Sequence, residues 1–410
     1  MVIFAPTDEV ALAAMVAEAA RRGTSLRIRG GGTRLSLGDP VEAKAELHLS
    51  GLTGITLYEP AALTIGARAG TPIAGIEAAL AAEGQHLPFE PADWRRLLGS
   101  EGEPTIGGAV ACGVSGPRRI QAGSARDAAI GMRFVDGTGA IVKNGGRVMK
   151  NVTGYDLVKL MCGAFGTLGV LSEIVFKVLP RPEAASTLVL QGLDDARAIA
   201  ALSAALASPF DVNGAAHLPE DRAGQTRTCI RVEGFASSVK YRMARLQEIL
   251  APVGEAEILS DPQAHADIWR SVRDVEAFGN RDGAVWKLSL RPSHAPALVA
   301  ALRAELDLDA MYDWGGGLVW LLTPQKGDAG ASLIRGAVAA RGGHATLMRA
   351  RQEIRRTVPA FQPEAPAIAA ISRGVRARFD PAGIFNPGLI DSVPVTAAQQ
   401  APILERKWKS

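Results

Sequence analysis

Arg29-Gly30-Gly31-Gly32-Thr33 is the stretch on which the fold turns, because three successive glycines let several backbone N–H groups converge on one anion without side-chain collisions. The motif has company. Pro104-Thr105-Ile106-Gly107-Gly108, Gly113-Val114-Ser115-Gly116 and Phe165-Gly166-Thr167-Leu168-Gly169-Val170 repeat the theme within the first 170 residues, each between strand-like apolar runs. A plain surface turn explains one triple glycine about as well as a ligand does; four such loops in one segment weaken that reading. Several loops offered to one large ligand suggest a bound dinucleotide. The G-x-G-x-x-G spacing with a ribose-binding acid about twenty residues later is missing, which disfavours a nicotinamide Rossmann turn.

Working outward, Pro6-Thr7-Asp8-Glu9 reads as a helix start with Thr7 as N-cap, and Gly23 closes that helix after Arg21-Arg22. Leu26 to Arg29 leads as a strand into the first glycine loop. Short β runs follow at Ile55 to Tyr58 and Leu63 to Ala67, then an alanine-rich helix from about Pro72 to Glu83. Asp136-Gly137-Thr138-Gly139 between Ile130–Val135 and Ala140–Val142 is a hairpin signal. The first part therefore reads as α+β. Leu179-Pro180-Arg181-Pro182 interrupts both helix and sheet and marks a domain boundary. Beyond it, strands near 186–190, 228–232, 284–290 and 317–322 are each followed by a helix, at 194–207, 237–250, 296–306 and 329–341. This alternation suggests a ferredoxin-like α/β cap. The expected organisation is a first domain over 1–180, the cap over 181–350, a segment over 351–391 returning to the first domain, and a tail over 392–410 suited to partner docking.

Composition bounds the partners. The chain has 410 residues, is 47% hydrophobic and carries a formal net charge of +3. Its basic residues are scattered apart from Arg406-Lys407-Trp408-Lys409, so nucleic acid is a poor expectation. Cys112, Cys162 and Cys229 lie far apart with no C-x-x-C pair for zinc or an iron–sulfur cluster. His217, His265, His294 and His344 are isolated, without ligand spacing, and no metal site is expected. The first residues include Asp8 and Glu9 without a basic leader, and charge interrupts every long apolar stretch. A cytoplasmic protein is expected, touching a membrane only through partners.

The loops, together with Gly123-Ser124-Ala125-Arg126-Asp127, Lys150-Asn151-Val152-Thr153-Gly154-Tyr155-Asp156-Leu157 and the closing Phe379 to Gly388, resemble the vanillyl-alcohol-oxidase type of FAD domain, also called the PCMH fold. The likeness is dense over about residues 5–180 and returns at 379–390. Within that family the chain is similar to an FAD-binding subunit of bacterial glycolate oxidase, a likeness shared by Gly342 to Leu347 and Trp269 to Arg273. The resemblance implies that Gly30, Gly31, Gly32 and Thr33 hold the FAD pyrophosphate. Thr105, Gly107, Gly108, Gly113 and Ser115 would line the opposite side, with Arg126, Tyr155, Gly169, Val170 and Asn386 completing the cradle. Relatives with covalent flavin carry a histidine directly after the first glycines; Thr33 stands there, so a non-covalent FAD is expected. The resemblance also implies a second FAD-binding subunit and an iron–sulfur subunit as partners.

Oxidation of a 2-hydroxy acid at a flavin needs a cation for the carboxylate and a base for the hydroxyl proton. Arg273 is the candidate cation and His344 the candidate base, each with a bland alternative: a solvated helix arginine and a turn histidine. Trp286, Lys287, Trp314 and Trp320 are candidate pocket residues or ordinary core. Catalytic subunits of this group usually carry a histidine cluster for a divalent metal, which this sequence lacks. Three functions stay open: a glycolate oxidase subunit converting glycolate to glyoxylate and passing electrons to the iron–sulfur partner, a self-sufficient lactate-type dehydrogenase, and a non-catalytic FAD-containing assembly subunit.

Overall fold

The computed structural model describes residues 2–147, 154–219 and 224–390. The expected docking tail and the Lys150–Thr153 part of the sixth motif lie outside them. Near the N-terminus, strands β1 (Val2–Phe4), β2 (Leu26–Arg29) and β3 (Ala45–His48) form a parallel sheet in the order β1-β3-β2. Helix α1 (Glu9–Arg22) buries Leu12, Val16 and Ala19 against it, an i, i+4, i+7 stripe. Its N-cap is Asp8 rather than Thr7: the Asp8 carboxylate accepts from Ala11 N at 2.8 Å. A carboxylate also suits the positive end of the helix better than a hydroxyl.

The second sheet is antiparallel, with strands β4 (Ile55–Glu59), β5 (Thr64–Arg68), β6 (Ala129–Val135), β7 (Ile141–Gly145) and β8 (Val170–Lys177) in the order β4-β5-β8-β6-β7. Helices α2 (Ile73–Ala82) and α3 (Ile106–Ala111) lie between β5 and β6 in sequence, and α3 starts at Thr105, whose hydroxyl accepts from Gly108 N. The two sheets leave the glycine loops on the rim between them.

The cap is one eight-stranded antiparallel sheet made of two successive βαββαβ units. The first runs β9 (Ala184–Gln191), α4 (Asp195–Leu206), β10 (Gly214–Leu218), β11 (Arg227–Gly234), α5 (Ala236–Leu250) and β12 (Ala256–Leu259). After helix α6 (Pro262–Asp274), the second runs β13 (Ala284–Ser289), α7 (Ala295–Arg303), β14 (Asp309–Asp313), β15 (Leu318–Thr323), α8 (Ala331–Ala339) and β16 (His344–Arg349). The order β12-β9-β11-β10-β14-β15-β13-β16 joins two ferredoxin-like halves edge to edge at β10 and β14. Simple strand–helix repeats had been the expectation for this stretch. The extra strands β10, β12, β14 and β16 carry alanine, glycine, histidine or charge in place of a β-branched run, so period-two reading passes over them.

One face of the cap sheet is covered by its four helices, with Leu188, Ile230, Trp286, Val319 and Leu321 buried in that core. The other face lies on the first domain, where Val189, Cys229, Met311 and Trp320 share a core with Phe89, Trp94, Ile106 and Phe176. Helix α9 (Pro366–Phe379) then leads back to the first domain, where Ile384 and Asn386 bond to Leu26 at the edge of β2.

Candidate active site

The first glycine loop leaves β2 and faces Glu103 to Gly108 across a cleft lined by Gly30, Gly31, Gly32, Thr33, Thr105, Gly107, Gly108, Gly169 and Asn386. Glycine is required here by space as well as by conformation. A Cβ on Gly31 would run into the Glu103 carbonyl and one on Gly30 into the Thr105 hydroxyl, while at Gly107 it would stand 2.7 Å from Ala69. Gly32 adopts φ +83°, the left-handed region. Asn386 pins the rim: its Oδ1 accepts from Ile28 N and its Nδ2 donates to the Phe165 carbonyl, both at 2.8 Å.

Other expected cradle residues sit elsewhere. Gly113 packs on Gly163, Ser115 accepts from Arg119, and Arg126 is exposed. Tyr155 is 90% exposed and Val170 is buried in the core beneath α1. The cleft also takes in Phe165 and Gly166 of the fourth glycine loop, and recruits Arg34, Cys112 and Leu171, which the sequence did not offer for it. Arg34 was within reach, as a cation one residue past the loop. Its Nη2 donates to the Ala92 carbonyl at 2.6 Å, while its Nε and the nearby Ser36 hydroxyl are buried without partners. A cradle that excludes Cβ atoms, with orphaned donors beside it, suits a pyrophosphate.

Between this cleft and the cap stands an aromatic cage. Lys287 on β13 points to the first-domain side with its Nζ 5.6, 5.9 and 5.8 Å from the ring centres of Trp94, Trp314 and Trp320. Among the described residues it has no hydrogen-bond or ion-pair partner. Burial, aided by Arg119, pulls its ammonium down to about 8. Trp94 Nε1 is likewise buried without an acceptor. The Arg34 guanidinium lies 5.9 Å from the Trp94 ring, so a single indole separates the cage from the cofactor cleft. Trp314 has φ +52° and donates from Nε1 to the Gly116 carbonyl across the domain boundary. Strain of this kind, seen also at Phe165 (φ +53°) and Asn386 (φ +41°), gathers around binding sites.

Trp286 does not join the cage. Alternation along β13 turns it to the helix side, where its Nε1 donates to the Ala329 carbonyl. His344 opens β16 opposite Ser289, on the same face as Lys287; burial and Lys287 lower its pKa, leaving the ring neutral near pH 7. Arg273, at the end of α6, is engaged: Nε and Nη2 donate to the two Asp274 oxygens at 2.8 and 2.7 Å, and Asp274 also accepts from Asp93 N. No group of three His, Cys, Asp or Glu side chains among the described residues is arranged to hold a metal. No helix among them is long and apolar enough to cross a membrane.

A second interdomain contact lies under the first half of the cap. Arg231 of β11, 1% exposed, donates to both Glu90 oxygens at 2.8 and 3.0 Å and to the Asn213 side chain at 3.0 Å. Arg118 pairs with Glu233 at 3.0 and 2.9 Å. Burial opposes the Glu90 charge, yet Arg231 and Arg118 hold it down at about 2.

Fold and cleft together define an FAD-dependent oxidoreductase, and residues 1–145 match the family model described as FAD binding domain. The likeness extends beyond that domain. The chain belongs to the family of glycolate oxidase subunit GlcE: it is 35% identical over 379 residues to that subunit of Escherichia coli K12, covering 92% of this chain and 96% of the relative. Glycolate oxidase subunit GlcD of Bacillus subtilis is 32% identical over 162 residues, 39% of this chain and 33% of its own. Alkyldihydroxyacetonephosphate synthase shares the fold, with a TM-score of 0.67 at 17% identity over 94% of this chain and 76% of that structure. FAD is the cofactor. It supplies the two-electron acceptor for oxidation at a C–H bond, and the glycine cradle, Thr105 and the Asn386-pinned rim are the residues of this chain that fit it.

Proposed function

We propose that the chain is the FAD-binding subunit of a glycolate oxidase complex that oxidises glycolate, a small 2-hydroxy acid, to glyoxylate and passes the electrons to an iron–sulfur partner. In this reading residues 1–180 hold the cofactor and 181–350 supply the substrate-side face. The observation that carries it is Lys287 Nζ, partly buried among three indoles with no hydrogen-bond or ion-pair partner among the described residues, beside the buried and unsatisfied Trp94 Nε1, one ring away from the cofactor cleft. An ammonium drawn partly out of water without a counter-ion is costly, and a small carboxylate relieves that cost. Lys287 anchors the carboxylate, the tryptophans limit the size of what enters, and neutral His344 on the same face accepts the hydroxyl proton. Arg273, held by Asp274, positions Asp93 and the Trp94 loop through the Asp274 carboxylate.

Anaerobic absorbance of the FAD-loaded chain tests this. Glycolate should bleach the oxidised-flavin band, and Lys287→Met should raise the glycolate concentration needed. Bleaching by D-lactate but not glycolate would favour the self-sufficient lactate-type enzyme. A flavin that no 2-hydroxy acid reduces, alone or with the partner subunits, would leave the assembly role.

A further inference from the structure

Helix α9 lacks the packing that supports the rest of the molecule. Among the described residues each of the other seven helices of nine or more residues buries at least three side chains, whereas none of the fourteen residues of α9 is buried. Ile368 is 52% exposed and Ile371 64%. An isolated helix of this length is marginal in water, so helices of this kind draw their stability from a surface that covers them. Among the described residues Val375 and Phe379 are the ones that attach α9 to the main core, Phe379 lying 6.2 Å from the ring of Phe134.

Its surroundings are basic. From 351 to 379 the chain has Arg351, Arg355, Arg356, Arg373, Arg376 and Arg378 against Glu353 and Glu364. Arg356, Arg373 and Arg378 are exposed and have no carboxylate partner among the described residues. The helix is also tied to the cofactor cleft at both ends. Before it, Phe361 stacks edge-on against Phe165 at 5.1 Å; after it, Asn386 bonds to the Phe165 carbonyl at 2.8 Å, and Phe165 and Asn386 both line the cleft.

We propose that α9 is the docking surface for an acidic protein partner, with Ile371, Ala370 and Ala377 forming the exposed apolar strip, and Arg373 and Arg378 flanking it as the charged rim. Resting on the function proposed above, that partner is the subunit that takes electrons from this flavin. Charge selects the occupant. A second copy of this chain would set arginine against arginine. The chain's own last residues, with Arg406, Lys407 and Lys409 against Glu405, are basic as well. An anionic membrane answers the charge but not the apolar side, which offers isoleucine and alanine and none of the bulky aromatics that seat interfacial helices. A narrow Ile/Ala face suits close packing against a protein.

The test co-expresses the full chain with the GlcD-like and iron–sulfur subunits and compares wild type with Ile371→Asp and Arg373→Glu/Arg378→Glu. FAD content and anaerobic bleaching of each isolated chain check that the cofactor domain is intact, since no substituted residue lines the cleft. The expected result is normal FAD content with association weakened about tenfold or more for both variants, and a salt dependence flattened in the charge-reversed one. Variants that co-purify and transfer electrons like wild type overturn the docking surface. So would loss of self-association, or of binding to phosphatidylserine vesicles, as the only defect. Failure of the wild-type chain to hold either subunit would instead sink the complex reading itself.

Discussion

The two halves of the cap share one topology and each presents a cation to the first domain, Arg231 buried and Lys287 partly buried, but they treat that cation differently. In the first half Arg231 stands across from Thr187 on the neighbouring strand, stacks on Trp269 at 4.5 Å and is answered by Glu90 and Asn213. In the second half Lys287 stands across from Trp320 and is surrounded by indoles, with no counter-ion among the described residues. A buried charge with each of its nitrogens engaged is a structural clamp, strongly felt when one partner is removed. A charge left without a partner is a candidate binding site, because the missing partner can come from a ligand. The comparison separates what holds the cap in place from what the cap holds.

The largest effect should follow from breaking the clamp. Glu90→Gln leaves Arg231 and Arg118 facing each other with one carboxylate fewer, and should cost about 3–5 kcal/mol in denaturant unfolding. Glu90 is also a residue with φ +45°, so Glu90→Gly, which relieves that strain, separates backbone from charge effects. In the wild type the folded value of Glu90, about 2 against an ordinary 4.5, means its contribution is complete above about 4.5 and is lost as pH falls toward 2. An acid titration of stability that is flat through that window would contradict the clamp.

Lys287→Met should do the opposite. It removes an unsatisfied cation, so stability should hold or rise, while transition-state binding of a 2-hydroxy acid weakens by about 1.5–3 kcal/mol, read in kcat/KM. A Lys287→Met chain that is less stable yet binds substrate normally would make the two halves alike. The pH dependence gives a third measure with two signs. Between about 8 and its ordinary 10.5, the unfolded chain binds the Lys287 proton and the folded chain does not, so this group makes stability increase with pH across that range. Affinity for a carboxylate falls over the same rise, as the ammonium is lost above about 8. Arg119 and His344 face the same region, and Arg119→Gln should move the midpoint upward.

Arg273→Gln should have the smallest effect. With its guanidinium committed to Asp274, its loss should appear as about 1–2 kcal/mol of stability, with KM within about twofold of wild type. A KM increase as large as that of Lys287→Met would return the carboxylate to Arg273.

Much of this was legible from residues alone, for identifiable reasons. Gly30 to Gly32, Thr105, Gly107 and Gly108 announced the cleft because backbone approach demands glycine, and that demand is local. Strands β9, β11, β13 and β15 were visible through their apolar runs. Strands β10, β12, β14 and β16 were not, since sequences such as Gly-Ala-Ala-His-Leu become strands only by pairing with the neighbours that the fold sets beside them. Gly113, Ser115, Arg126, Tyr155 and Val170 come from the same motifs as the cleft residues, and only the path of the chain decides which members reach it.

The sequence by itself determined an α+β flavin domain, its glycine cradle and its ferredoxin-like cap, because backbone conformation and hydrophobic period are written residue by residue. Which cation is spent and which is free belonged to the tertiary structure. Arg231 meets Glu90 from 141 positions away, and Lys287 meets Trp94 but no carboxylate among the described residues. Whether a charge clamps or binds depends on its neighbours in space, which no local pattern encodes.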